Sequence, residues 1–230
     1  MKLLAFETAT EGCSVAVYSD GEVRERFELA PRRHAELALP WAEQLLVEAG
    51  IAKSQLDAIA VGRGPGAFTG VRLAISIAQG IALALDKPVV PVSTLAALAM
   101  RANGERILAA IDARMGEIYL AAFEHDGAGL RALDHEIVVN PEAAAIPDGD
   151  AWHGIGTGFA AADGLLQRRF ADRLAAVDAA ALPHAAEIAR LAAHAFARGE
   201  AVAPERVEPA YLRDNVALTL EQQRALRASR

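Results

Sequence analysis

The sequence predicts an α/β protein of two similar lobes, each a mixed sheet flanked by helices, on three observations. Strand patterns and helix patterns alternate along the chain, which opens as βββαβαβ. A second copy of the opening three-strand pattern begins near residue 105. Of the 230 residues, 53% are hydrophobic, enough to bury a core in each of two compact lobes.

KLLAFETA, CSVAVYSDG and EVRERFELA read as three short strands, with a turn near Glu11-Gly12 and a hairpin at Asp20-Gly21. Pro31 opens a helical pattern that runs to a capping Gly50, with Leu37, Trp41 and Leu45 on one stripe and a kink expected at Pro40. An apolar strand at 56–61 (LDAIAV) follows, then the loop VGRGPGAFTG, an apolar helix from Thr69 to Leu85, and a strand at PVVPV. RILAAID, GEIYLAAFEHDG and GLRALDHEIVV repeat the meander: Asp112 precedes the Asp126-Gly127 turn as Glu7 precedes Asp20-Gly21. After it come a strand at AWHGIG, helical segments at FAAADGLLQRRFA and PHAAEIARLAAHAFARG, and a closing ERVEPAYLRDNVA. The lobes are expected at 1–104 and 105–207, with the segment from about 208 to 230 able to pack back on the first.

A formal net charge of −7 argues against a broad electrostatic footprint for nucleic acid, so RNA contact is expected to be local or supplied by a partner. The basic cluster Arg224, Arg227 and Arg230 reads as a solvated tail. The single cysteine, Cys13, in an apolar strand, suits a packed thiol in a reducing compartment. Glu7 and Glu11 interrupt what a signal peptide would keep apolar, and no run looks long enough to span a membrane; a cytoplasmic protein is expected.

Two lobes, each with an acidic residue ending the first strand of a meander, suggest the actin-like and Hsp70-like (ASKHA, ribonuclease H-like) architecture, in which a nucleotide lies between the lobes. The weak candidates for such a ligand are Glu7 and Thr8 in the first turn, Asp112 in the second, and Gly154 and Gly156 in GIGTG. Two carboxylates flank the first turn and Met115 stands in the second, so both are poor phosphate cradles. Glu7 and Asp112 are better read as strand ends that tie down their turns by hydrogen bonds. No two of the six histidines have metal-site spacing on a helix, no GxSxG elbow exists, and His34, at a helix start, has either a partner contact or a local packing role. Catalytic residues, a metal site and a cofactor are therefore not expected.

The assembled stretches resemble one family, TsaB (YeaZ), of bacterial tRNA threonylcarbamoyladenosine biosynthesis. The resemblance is carried by FETATEGCSVAVYSDG, RRHAELALPWAEQLLVEAG, LDAIAVGRGPGAFTGVRLAISIAQGIA, PVVPVSTLAALA, AAIDARMGEIYLAAF and EPAYLRD. It runs across nearly the whole chain. The related catalytic family, TsaD (Kae1-like), shares the glycine block but carries two metal-binding histidines where this chain has Thr94 and Leu98. The resemblance thus implies a noncatalytic subunit, not a peptidase, that binds a TsaD-like metalloenzyme. It further implies a TsaE-like P-loop ATPase as third member, a homodimer when alone, tRNA met through the complex, and no membrane. The alternative is a stand-alone ATPase or phosphotransferase of the actin-like superfamily.

The 69–85 helix points the same way. It is apolar on nearly all sides, with Arg72 and Gln79 as its main polar side chains, so one face needs a cover beyond the sheet. The expected partner surface is His34, Leu37 and Trp41 with Arg72, Ile75, Ala78, Gln79 and Ala82, where the small residues Ala74, Ala78 and Gly80 admit a close helix. VGRGPGAFTG lacks the Lys-Ser/Thr ending of a P-loop, and Pro65 removes an amide. Its glycines are expected to make a tight strand-to-helix crossing.

Overall fold

A computed structural model describes residues 1–127 and 129–213; the basic tail with Arg224, Arg227 and Arg230 lies outside the described residues. The opening meander is β1 (Lys2–Glu7), β2 (Gly12–Ser19) and β3 (Glu22–Leu29), turned by Asp20 and Gly21 at positive φ. α1 (His34–Glu48) follows and is continuous across Pro40. Both Pro40 and Glu36, the residue whose carbonyl the proline leaves unpaired, are exposed, so water can satisfy that carbonyl and the expected break does not occur. β4 (Ala58–Gly62), α2 (Phe68–Leu85), β5 (Val89–Val92) and a short α3 (Thr94–Ala99) complete the first half.

The second half repeats this with β6 (Arg106–Arg114), β7 (Glu117–Asp126), β8 (Gly129–Ala132), β9 (Ile137–Val139), β10 (Trp152–Ile155), α4 (Ala161–Arg169), β11 (Leu174–Asp178) and α5 (Ala185–Ala197). The GLRALDHEIVV strand is in fact two, β8 and β9, both pairing with β7, and β11 has no counterpart in the sequence expectation. Residues 162–164 in α4 adopt left-handed φ/ψ, so the regular helix is shorter than FAAADGLLQRRFA suggested.

The five strands of the first sheet match five of the six in the second, β9 being an addition that pairs with β7. The first runs β3-β2-β1-β4-β5 and the second β8-β7-β6-β10-β11, each with two antiparallel pairings followed by two parallel ones. The duplicated actin-like fold is thus visible in topology as well as in the repeated meander. α1 and α2 cover one face of the first sheet, burying Ala38, Ala42, Leu45, Val71, Ile75 and Ala78 against Phe6, Val15, Ile59 and Val61. The helices that end the two halves exchange places. α5 lays Ala185, Ile188, Ala189 and Ala192 on Ala5, Ala16, Ala58 and Ala60 of the first sheet. α3 packs Leu95, Leu98 and Ala99 against Ile107, Ala109 and Ile111 of the second. Alanine facing alanine lets a helix sit close on a sheet, which explains why so alanine-rich a helix forms a core.

α2 is eighteen residues long and apolar enough to reach across a bilayer, contrary to the expectation that no stretch would be. Five of its residues, Val71, Ala74, Ile75, Ala78 and Ala82, are built into the first lobe's core.

Candidate functional site

Glu7 ends β1 with no exposed surface. One carboxyl oxygen accepts from the Ala9 amide at 2.6 Å, and the other from the Thr94 hydroxyl at 2.9 Å, which in turn receives the Gly64 amide at 3.2 Å. Burial raises the Glu7 pKa to about 7, with the Ala9 and Thr94 bonds opposing the rise. The first turn is closed by the chain itself. Ala9 N–H is taken by Glu7, Gly12 N–H by the Thr10 hydroxyl at 3.3 Å, and the Thr8 hydroxyl donates to the Gly70 carbonyl at 2.7 Å.

The glycine loop fits over this turn. A Cβ at Gly62 would overlap the Glu7 carboxylate, at Gly66 the Ala9 carbonyl, and at Gly70 the Thr8 carbonyl. Gly66 and Gly70 therefore admit backbone to backbone and Gly62 admits the Glu7 carboxylate, and the Ala67 amide reaches the Ala9 carbonyl at 2.7 Å. Where a phosphate would lie on the turn, the chain lies instead.

The second lobe is closed in the same way. Asp112 accepts from the Arg114 amide at 2.7 Å and its guanidinium at 3.0 Å, and its own amide donates to the Thr157 hydroxyl. Met115 is 88% exposed at the tip of the turn. Gly154 lies against the Phe159 ring, and Gly156 and Gly158 against Ala110, so GIGTG is filled by packing. The structure thus keeps Glu7 and Thr8 together but sets Asp112, Gly154 and Gly156 in the opposite lobe, each already engaged. Between the lobes a cleft of about 500 Å³ opens above these turns.

At the positions where the resemblance places metal-binding histidines, Thr94 has committed its hydroxyl to Glu7 and Leu98 is buried in the second-lobe core. Neither fits a metal. Among the described residues no three His, Cys, Asp or Glu side chains are grouped to hold one.

α1 and α2 form the other candidate surface, and the structure turns the expected residue set around. Ile75, Ala78 and Ala82 face the sheet and are core, as is Ala74. The helix period puts Thr69, Leu73, Ser76, Gly80 and Leu83 outward. Leu83 is 63% exposed, and a Cβ at Gly80 would meet nothing within 4 Å. On α1, Leu37 and Trp41 are half-buried against the core, while Leu39 and Val47 are exposed. His34 Nε2 donates to the Thr10 carbonyl at 3.0 Å, tying α1 to the first turn. Gln79 donates to the Pro204 carbonyl at 2.8 Å, and Arg72 to the Tyr211 hydroxyl at 2.6 Å.

One cluster escaped the sequence because its members lie far apart along the chain. The Ser14 hydroxyl donates to Glu25 at 2.6 Å, as do His184 Nδ1 and the Ala186 amide at 2.9 Å each. His184 stacks on Phe27 with ring centroids 4.0 Å apart. Burial works to raise the Glu25 pKa, but the bonds from His184, Ser14 and Ala186 outweigh it and hold the carboxyl below the usual range. The serine donates to the glutamate and not to the histidine, so no nucleophile and base are paired. The carboxylate caps the N-terminus of α5.

Glu7 makes a testable contribution to pH-dependent stability. Its folded pKa is raised, so the folded chain holds a proton that the unfolded chain releases. This contribution is complete below about 4.5 and is lost as pH rises through about 7. Glu7→Gln has no proton to lose. Measured by urea unfolding at pH 5 and pH 8, the variant's stability relative to wild type should rise by about 2–3 kcal/mol. An unchanged difference would mean that Glu7 is ionised throughout.

The family model described as TsaD, tRNA N6-adenosine threonylcarbamoyltransferase, matches residues 27–220. The tRNA threonylcarbamoyladenosine biosynthesis protein TsaB of Escherichia coli is 43% identical, over 94% of this chain and 96% of its own. The protein of the same name from Haemophilus influenzae is 36% identical, over 94% and 95%. The solved structure of YeaZ from Pseudomonas aeruginosa superposes with a TM-score of 0.83 at 46% identity, covering 92% of this chain and 99% of that one. With likeness of this extent in sequence and in fold, the chain belongs to the TsaB (YeaZ) family.

Proposed function

We propose that the chain serves the formation of N6-threonylcarbamoyladenosine in tRNA as a noncatalytic subunit. It presents the outward face of α2, flanked by α1, to a TsaD-like threonylcarbamoyltransferase, with a TsaE-like ATPase as third member of the complex. The observation that carries this is the face itself. It is uncharged from Leu73 to Leu85, and it exposes Ser76, Gly80 and Leu83 beside a half-buried Leu73. A glycine in a helix interior costs about 1 kcal/mol relative to alanine, and no contact among the described residues requires one at position 80. A like-folded partner whose own α2 packs there would require it, and the same face would serve a homodimer of the isolated chain.

The turns weigh against the ATPase or phosphotransferase alternative. The Glu7 and Asp112 carboxylates occupy amides of their own turns, and the glycines are used for packing. Co-purification tests the subunit function: the chain should capture the TsaD-like protein of its own genome, and a strain lacking the chain should lose threonylcarbamoyladenosine from its tRNA. Capture failing in both tagged orientations would overturn it, as would tight Mg-ATP binding and turnover by the chain alone.

A further inference from the structure

At the mouth of the interlobe cleft, the Arg72 guanidinium lies 3.3 Å from the centroid of the Phe68 ring and 5.1 Å from that of Tyr211. Phe68 and Tyr211 are 66% and 62% exposed, so an arginine is held against two aromatic residues that keep much of their surface open to solvent. The placement is made by tertiary structure. Phe68 and Arg72 are one turn apart on α2, while Tyr211 arrives on the C-terminal segment, anchored by the Ala210 amide on the Arg63 carbonyl at 2.8 Å and by Arg213 on the Ala113 carbonyl at 3.2 Å. Around the same cleft stand Arg32, exposed and without a hydrogen bond or ion pair among the described residues, and Arg114, whose side chain is 80% exposed and gives one guanidinium nitrogen to Asp112; the carboxylates there are Asp112 and the exposed Glu11.

We infer that this cleft mouth binds an unpaired nucleotide of an RNA strand, its base stacked on the Phe68–Arg72–Tyr211 group and its phosphates met by Arg32 and Arg114. Planar exposed rings and a clamped guanidinium suit a base face of any sequence, and nearby arginines suit the backbone that carries it. A free nucleoside triphosphate is the poorer match. The turns at the cleft floor have spent the amides of Ala9, Gly12 and Arg114 on their own side chains, so those donors are not free for a phosphate chain. The contacts that remain lie at the rim, where the rest of a strand can continue outside. The site borders the outward stripe of α2 at the N-terminal end of that helix, and it is a local RNA contact of the kind open to a chain of net charge −7.

Fluorescence anisotropy of the purified full chain with a labelled single-stranded oligoribonucleotide tests it, with a blunt RNA duplex and Mg-ATP as competitors. The single strand should bind, the duplex should compete poorly, and Mg-ATP should not compete. Tyr211→Ala should weaken binding about tenfold through the lost stack. Arg32→Glu should weaken it too and reduce the slope of log affinity against log salt by about 0.7. Both side chains are exposed, so thermal unfolding should stay close to wild type, and co-purification of the TsaD-like partner should persist. RNA binding unchanged in both folded variants would overturn the site, as would no wild-type binding or displacement by Mg-ATP. Any of these with partner capture intact leaves the subunit function standing.

Discussion

Gly70→Ala should lower the unfolding free energy by about 3 kcal/mol, seen as a fall in Tm of roughly 6–12 °C. Gly70 lies in the first turn of α2, a position where alanine normally favours a helix. Here a Cβ would overlap the Thr8 carbonyl oxygen, which belongs to backbone and cannot swing aside as a side chain can. The Thr8 hydroxyl also holds the Gly70 carbonyl, so relief by shifting α2 would break that bond and disturb Glu7 and Ala9 just upstream and downstream of Thr8. Ten residues on, Gly80→Ala should do the reverse, because its Cβ enters open space and gains the helix preference of alanine, about 1 kcal/mol. Opposite signs for one substitution at two glycines of one helix would show that the first admits the turn and the second is kept for something outside the chain. A Gly70→Ala variant as stable as wild type would refute the close approach.

Gly80→Arg should abolish capture of the TsaD-like partner, a loss of about a hundredfold or more, while leaving the isolated chain folded. No described residue lies within 4 Å of the Cβ that the arginine adds, so the cost falls on the complex: a bulky charge is forced into a helix-to-helix contact. Ile75→Glu is the informative contrast. Ile75 is 5% exposed and packs toward the sheet, so its variant should unfold, and lost capture there says nothing about the surface. Circular dichroism together with pull-down separates the two. Capture surviving Gly80→Arg would place the interface elsewhere.

Much of the architecture was legible because it rests on local patterns. Short strand-like runs bounded by turn residues marked β1, β2 and β3, the Asp20-Gly21 pair marked the hairpin, and the apolar run fixed α2 to within one residue of its start. The second meander could be matched to the first because Asp112 and the Asp126-Gly127 turn recur at nearly the separation of Glu7 and Asp20-Gly21. β11 was missed because LAAVD is short and alanine-rich, and alanine favours neither period visibly. The α2 surface was half legible. An apolar helix showed that two faces needed cover, but Ile75, Ala78 and Ala82 were assigned outward when they point to the sheet. On a helix apolar all round, the sequence carries no polar stripe from which to set its rotation.

What the sequence by itself determined is the duplicated α/β plan, the glycine loop as a crossing rather than a P-loop, and the family. Each depends on residues near one another in the chain or on likeness along its length. Tertiary structure alone decided the contacts between distant segments: Thr94 closing on Glu7, Glu25 capping α5, α3 and α5 exchanged between the sheets, and Tyr211 brought onto Arg72. The three hydrogen-bonded pairings span 87, 139 and 161 residues, for Thr94 with Glu7, Arg72 with Tyr211 and Ala186 with Glu25. Hydrophobic periodicity has a reach of a few turns, so it says which face of an element is buried but never which remote element buries it. That choice is made only when the sheets assemble and each buried polar group must find its partner.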